Sequence, residues 1–342
     1  MIEPKNILIV RTDRIGDVIL SLPLPGLIKK YYPSCKVTFL TKEYTKNLIA
    51  EHPYIDRTIQ LLENKKKILF WKNINEIKKH RFDSCVIVYP TFKIALILFF
   101  TGIKYRIGTG YRWYSFLFNY KFYEHRKYAQ YHELEYNVHL LRFFNIDEIP
   151  DKKNINFELQ VNSQSEQKVE KVLSQFHFND KLPVIIFHPG SGGSAIDLPV
   201  SRMKELINLT YKSLQVNIII TGTPEEKKLC ESLSSDNRIL NLSGLFNLGE
   251  LVALINKADL LVANSTGPLH IAAALKKYVI GFYPKIKVCS PERWGPYSEK
   301  SFIFQPEIDC NTCTREQCER LNCMNSINID AVYKKIESVI SK

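Results

Sequence analysis

With 342 residues, 45% of them hydrophobic and 24% charged, the chain has the makeup of an ordinary globular protein and length enough for two domains. That excludes a disordered or fibrous chain, and the longest apolar run of note, residues 94–100, is far too short to cross a bilayer. The formal net charge is +12, and residues 1–160 carry most of it, with 26 Lys and Arg against 16 Asp and Glu; such a basic half suits an anionic lipid surface, a nucleic acid or a phosphorylated acceptor, or reflects a Lys-rich genome.

In chain order, apolar residues 7–10 predict a first strand. Residues 17–30 then predict a helix with Val18, Leu22 and Leu27 on its buried side. Further strands are predicted over 36–40, 58–62, 84–88 and 104–107, with helices at 42–50, 70–79, 91–101 and 132–144. The polar residues 145–154 mark a domain boundary. A helix at 165–176 follows, and the alternation restarts. Its strands fall at 184–187, 217–221, 240–242, 260–263 and 279–282, and its helices at 201–213, 225–234, 248–257 and 267–275. A closing helix over 329–340 could pack back across the boundary. This alternation predicts an α/β chain of two doubly wound parallel sheets, residues 1–155 and 156–342. Ligands of such sheets bind at the carboxyl ends of the strands, so two facing domains would hold the site in their cleft. The first strand starts with no secretory segment before it, and a cytoplasmic location is the expectation.

Three turns carry candidate chemistry. Residues 262–275 read V-A-N-S-T-G-P-L-H-I-A-A-A-L: a strand, a small polar turn, then a helix start. A helix N-terminus offers unpaired N–H groups and partial positive charge, and small residues let a phosphate approach. Ser265 or Thr266 can cap this helix, Gly267 and Pro268 open it, and His270 lies about one turn in. The same pattern reads equally well as an ordinary capped turn with a surface His. Residues 10–25 read V-R-T-D-R-I-G-D-V-I-L-S-L-P-L-P, again after a strand. Gly16 there permits a tight turn or a close approach, and Asp13 and Asp17 are carboxylates four residues apart. Residues 188–193, H-P-G-S-G-G, form a glycine-rich loop in which Gly190, Ser191 and Gly192 could nest a diphosphate; without a G-K-[ST] ending it is not a Walker A loop.

Together with Y-R-I-G (105–108) and P-E-R-W-G-P-Y (291–297), these motifs resemble glycosyltransferase family 9, the ADP-heptose:lipopolysaccharide heptosyltransferases. The resemblance keeps the family's motif order and spans nearly the whole chain. It implies the GT-B fold, two Rossmann-like domains facing across a cleft. It also implies an inverting transfer of heptose from ADP-heptose to the lipopolysaccharide inner core or a related surface glycan. The N-terminal domain would hold the acceptor and the C-terminal domain the nucleotide-sugar. By the same resemblance Asp17 is the base that takes the acceptor proton. Asp13 then reads as a positioning residue or an ion-pair partner of Arg14. Either Glu225 or Glu226 binds the nucleotide ribose, and His132 lies near the cleft. Trp294 either walls the pocket or packs in the core. One departure stands out: the family's cation after the glycine-rich loop falls here on Ile196, and Arg202, Lys204 and Arg14 are the candidate substitutes.

From Tyr105 to Tyr128, nine aromatic residues besides Tyr105 interleave with Arg106, Arg112, Lys121, Arg126 and Lys127. That suits a sugar-phosphate acceptor or an anionic membrane surface, so peripheral association with the inner membrane is an expectation. No nucleic-acid motif accompanies it, and no nucleic-acid partner is expected. Cys310, Cys313, Cys318 and Cys323 cluster near the C-terminus, as a reduced structural group or as ligands for zinc or iron. Transfer itself requires no cofactor, since helix ends and cations can hold the leaving diphosphate. The alternatives are transfer to protein or to another glycan, and a nucleotide-sugar-binding module with little activity.

Overall fold

The apolar run near the N-terminus becomes strand β1 (Asn6–Val10), whose last four side chains are all fully buried. In a computed structural model, which describes residues 2–176, 178–234, 236–308 and 314–341, the chain divides into two units, residues 1–160 and 161–342. In the first unit β1 is followed by β2 (Lys36–Thr41), β3 (Arg57–Gln60), the short hairpin β4 (Glu63–Asn64) and β5 (Lys67–Ile68), β6 (Ser84–Ile87), β7 (Tyr105–Thr109) and β8 (Tyr120–Phe122). Six of these form a parallel sheet in the order β3-β2-β1-β6-β7-β8. The second unit repeats the plan with β9 (Val184–His188), β10 (Asn217–Ile220), β11 (Ile239–Asn241), β12 (Leu260–Asn264), β13 (Tyr278–Phe282) and β14 (Ser301–Phe304), ordered β11-β10-β9-β12-β13-β14. Central strands of a parallel sheet are covered on both faces, which is why they read as unbroken apolar runs. In each sheet the strand order reverses once, between β1 and β6 and between β9 and β12. The crevice at such a switch point is where doubly wound sheets bind ligands.

Several elements differ from the expectation. The predicted helix over 17–30 is two helices, Ile15–Ile19 and Pro23–Tyr31. Pro23 lacks an N–H and occupies the first position of the second helix, so the chain breaks just before it. The edge strands β8 and β14 were not predicted; they are short and only half-buried, so they lack the apolar signature of the inner strands. The polar stretch 145–154 does not end the first unit, because Ile155, Phe157 and Leu159 bury alternate side chains before Gln160.

The closing helix, Ile329–Ile340, finds its partner inside the second unit. Ile329, Val332, Ile336 and Val339 fall at helical spacing and are buried with Met203, Leu206 and Ile207 of helix Val200–Ser213. That apolar stripe is therefore taken up within its own unit.

Candidate functional site

In the first unit the chain leaves β1 at the switch point and turns into helix Ile15–Ile19. Arg11 stands at this turn, fully buried. Its Nε is 2.7 Å from Asp13 Oδ1, its Nη2 donates to Asp17 Oδ1, and its Nη1 lies 3.5 Å from Glu133 Oε1 and donates to Asn137 Oδ1 at 3.2 Å. Arg126 also pairs with Glu133 and donates to Asn137 Oδ1 at 3.3 Å. Asn137, in helix Glu133–His139, in turn donates to the Leu20 carbonyl at 3.1 Å, tying that helix to the end of helix Ile15–Ile19. The Arg11 and Glu133 side chains are 1% exposed, whereas Asp13 and Asp17 are 12% and 14% exposed. The guanidinium is thus an internal anchor, and its two aspartates keep some exposure.

Two guanidiniums here face three carboxylates, so one carboxylate is in excess. Burial, the largest cause, pushes the Asp13 carboxyl up to about 7; Arg11 pulls it down and the Asp17 charge adds to the rise. Burial works against the Arg11 charge as well, but Asp13, Asp17 and Glu133 outweigh it and hold Arg11 above its ordinary value. The raised Asp13 value makes a stability statement. The folded chain keeps a proton that the unfolded chain releases near 3.8, so this contribution is complete below about pH 4 and is lost as pH rises through 7. Wild type should therefore lose stability relative to Asp13→Asn between about pH 4 and 7. Paired thermal melts across that range check this, and a difference that grows in favour of wild type would mean that pairing with Arg11 dominates instead.

In the second unit β9 ends at His188, whose buried ring is pushed down to about 4 and lies 2.9 Å from Thr221 Oγ1. The glycine-rich loop follows. Gly192 (φ +55°) and Gly193 (φ +73°) adopt the left-handed conformation, where side chains are strained. A Cβ on Gly190 would come within 1.9 Å of Glu226 Oε1. Glu226 accepts from Gly192 N at 3.3 Å and from Thr223 N at 2.8 Å, while Glu225 is exposed; of the two glutamates, Glu226 faces the loop. The loop is clipped to the β12 turn. Asn264 Nδ2 donates to the Pro189 carbonyl at 2.5 Å, Leu198 N donates to Asn264 Oδ1 at 2.8 Å, and Ser194 Oγ donates to the Ser265 carbonyl at 3.0 Å. Ser191 is buried, and its Oγ accepts from Ala195 N at 3.4 Å. The two turns suspected from sequence thus share one switch point, where helix Gly267–Ala274 begins.

Several expected roles change. Asp13 pairs with Arg11, and Arg14 is exposed at the N-cap of helix Ile15–Ile19. Gly16 is a residue of that helix with no positive φ, so no left-handed turn requires it. His132 is a buried cap: its Nδ1 accepts from Leu134 N at 3.1 Å and its N–H is bound by Glu135, which starts the helix that carries Glu133 and Asn137. Thr266 stands at the N-cap of helix Gly267–Ala274 with no side-chain cap hydrogen bond, so its hydroxyl does not close that end. His270 is buried rather than on the surface. Trp294 is half-buried, its indole donating to the Val288 carbonyl at 3.0 Å with Arg293 over the ring. Arg202 pairs with Glu205 and the Ile327 carbonyl, leaving the space after the loop to Ile196. Arg106 is likewise engaged by the carbonyls of Leu117 and Ile103. Cys310 and Cys313 lie outside the described residues. Cys318 and Cys323 are buried in a small apolar cluster with Ile286, and among the described residues no group of three or more metal-binding side chains is assembled.

Sequence reading gave no role to Arg11, Glu133 or Asn137, and counted Arg126 only among the surface cations. The available signal was an arginine at a strand end with aspartates two and six residues on. Its partners, more than 110 residues away, leave no local trace.

The model of glycosyltransferase family 9 (heptosyltransferase) matches residues 70–324. A putative glycosyltransferase of Haemophilus influenzae is 29% identical over 312 residues, covering 88% of this chain and 89% of its own. The lipopolysaccharide core heptosyltransferase OpsX of the same organism is 25% identical, covering 86% and 82%. The solved structure of Escherichia coli ADP-heptose lipopolysaccharide heptosyltransferase II superposes with a TM-score of 0.78 at 19% identity and covers 98% of both chains, so the fold is that of the GT-B enzymes.

Proposed function

Because this chain belongs to glycosyltransferase family 9, the heptosyltransferases, we propose that it transfers heptose from ADP-heptose to the lipopolysaccharide inner core or a related surface glycan, with inversion. The relatives' own names support that donor and acceptor. In this reading the second unit holds the nucleotide-sugar. Its diphosphate lies at the glycine-rich loop and the start of helix Gly267–Ala274, where backbone N–H groups and the helix dipole favour an anion. Glu226 is the carboxylate for the ribose hydroxyls. The first unit holds the acceptor. As the acceptor oxygen bonds to the anomeric carbon, its proton passes to the Asp17 carboxylate, and the bond to the diphosphate breaks with its electron pair leaving on ADP.

The observation that carries this reading is the partly exposed Asp17 carboxylate fixed on the buried Arg11 guanidinium. A general base must be held in place to take a proton, and the buried Arg11 guanidinium holds this one. We further propose that the enzyme works as a peripheral protein at the cytoplasmic face of the membrane. No described helix is long and apolar enough to cross one. The exposed Lys65, Lys66 and Lys67, close in sequence to exposed Trp71, offer a cationic and aromatic surface to anionic headgroups.

The test is ADP release from ADP-heptose with membrane extract as acceptor. Release is expected to require both the extract and the heptose donor. Equal release of UDP or GDP from the corresponding sugar nucleotides rejects the donor assignment, and nucleotide binding without turnover rejects the enzymatic one.

A further inference from the structure

We infer that Arg315 is the cation that meets the donor's diphosphate at the glycine-rich loop, supplied by the segment that covers Ile196; this rests on the donor site proposed above. The loop cannot manage a diphosphate with backbone N–H groups alone, because carboxylates already stand beside it. Glu226 accepts from Gly192 N, and Asp197 is a near neighbour whose buried Oδ1 has no hydrogen-bond partner. An incoming anion therefore needs a cation to offset them. The position expected to carry it is Ile196, which packs its side chain against Cys318, Cys323 and Ile286. Arg202 is engaged by Glu205 and Ile327.

The helix that covers Ile196 is Arg315–Arg320, and its first residue turns back to the loop. Arg315 Nη1 donates to the Gly193 carbonyl at 3.1 Å and Nη2 to the Ala195 carbonyl at 3.3 Å, while Nε pairs with Glu319 at 2.9 Å. These contacts use three of the five guanidinium N–H donors. The side chain is 53% exposed, so the remaining donors can be reached by a ligand. Thr314 fixes the helix start by a reciprocal cap with Gln317, at 3.2 and 3.1 Å, which holds Arg315 in place. One element thus closes the apolar gap at Ile196 and returns positive charge to the same loop. Guanidinium is the group best shaped for a phosphate.

Calorimetric titration with ADP and with adenosine tests this, using wild type, Arg315→Ala and Arg315→Lys. Arg315→Ala is expected to bind ADP about tenfold more weakly, with adenosine unchanged and Arg315→Lys in between. If ADP and adenosine weaken together, Arg315 merely shapes the loop, and the inference fails. It fails equally if Arg315→Ala binds ADP like wild type. A wild-type protein that binds neither compound overturns the donor reading, and this inference with it.

Discussion

Asp17→Asn is expected to lower turnover by about a hundredfold to ten-thousandfold, the usual worth of a general base, without unfolding the first unit. The second half of that expectation comes from the charge count. Arg11 and Arg126 face Asp13, Asp17 and Glu133, one carboxylate more than they neutralise. Removing the Asp17 charge brings the cluster to balance, and asparagine keeps the shape and an acceptor oxygen for Arg11 Nη2. Stability should hold or rise slightly, and Asp13, relieved of its neighbour, should titrate lower. Because the donor is proposed to sit in the other unit, KM for ADP-heptose should change little while kcat collapses. Steady-state kinetics beside a thermal melt separate these outcomes. Turnover near that of wild type in a folded Asp17→Asn protein would reject Asp17 as the base.

The two sheets were legible because their inner strands are buried on both faces and therefore apolar throughout. β12 (Leu260–Asn264) and helix Leu248–Lys257 stand close to where the pattern put them. The conformations of both turns were legible for a related reason: glycine at left-handed φ and small residues at a helix start are local requirements, written in adjacent letters. What stayed hidden was set by distant partners. Nothing near Arg11 announces that Glu133 and Asn137 lie beneath it, and nothing near Ile196 announces that Arg315 returns to its loop. The roles assigned to Gly16 and His132 changed for a local reason instead. Each is locally consistent with a turn or a surface group, and each is fixed by the helix it helps to form. The β8 and β14 strands were missed because none of their residues is fully buried, which erases the apolar signal that the edge strands β3 and β11 keep at Ile59 and at Ile239 and Leu240.

Arg11→Met should destabilise the first unit by about 3–5 kcal/mol near pH 8, the cost of leaving buried carboxylates without their cation; for a unit of this size that is a Tm drop on the order of 10 °C. Methionine fills much of the same volume, so little of the loss would be a cavity. The pH dependence identifies the cause. Without Arg11 the Asp13 carboxyl, already raised, rises further above its unfolded value, as a buried acid without its cation does. Such a group contributes stability at low pH and loses it as pH rises through the folded value. The gap between Arg11→Met and wild type should therefore shrink on acidification toward pH 5, as protons replace the missing charge. A gap that is constant with pH would assign Arg11 to packing, and would remove the reason for regarding Asp17 as an oriented base. Arg11→Lys provides the second arm: it keeps the charge but not the fork that reaches Asp13, Asp17 and Asn137 at once. It should recover most of the stability and only part of kcat, since one ammonium cannot hold both aspartates in place.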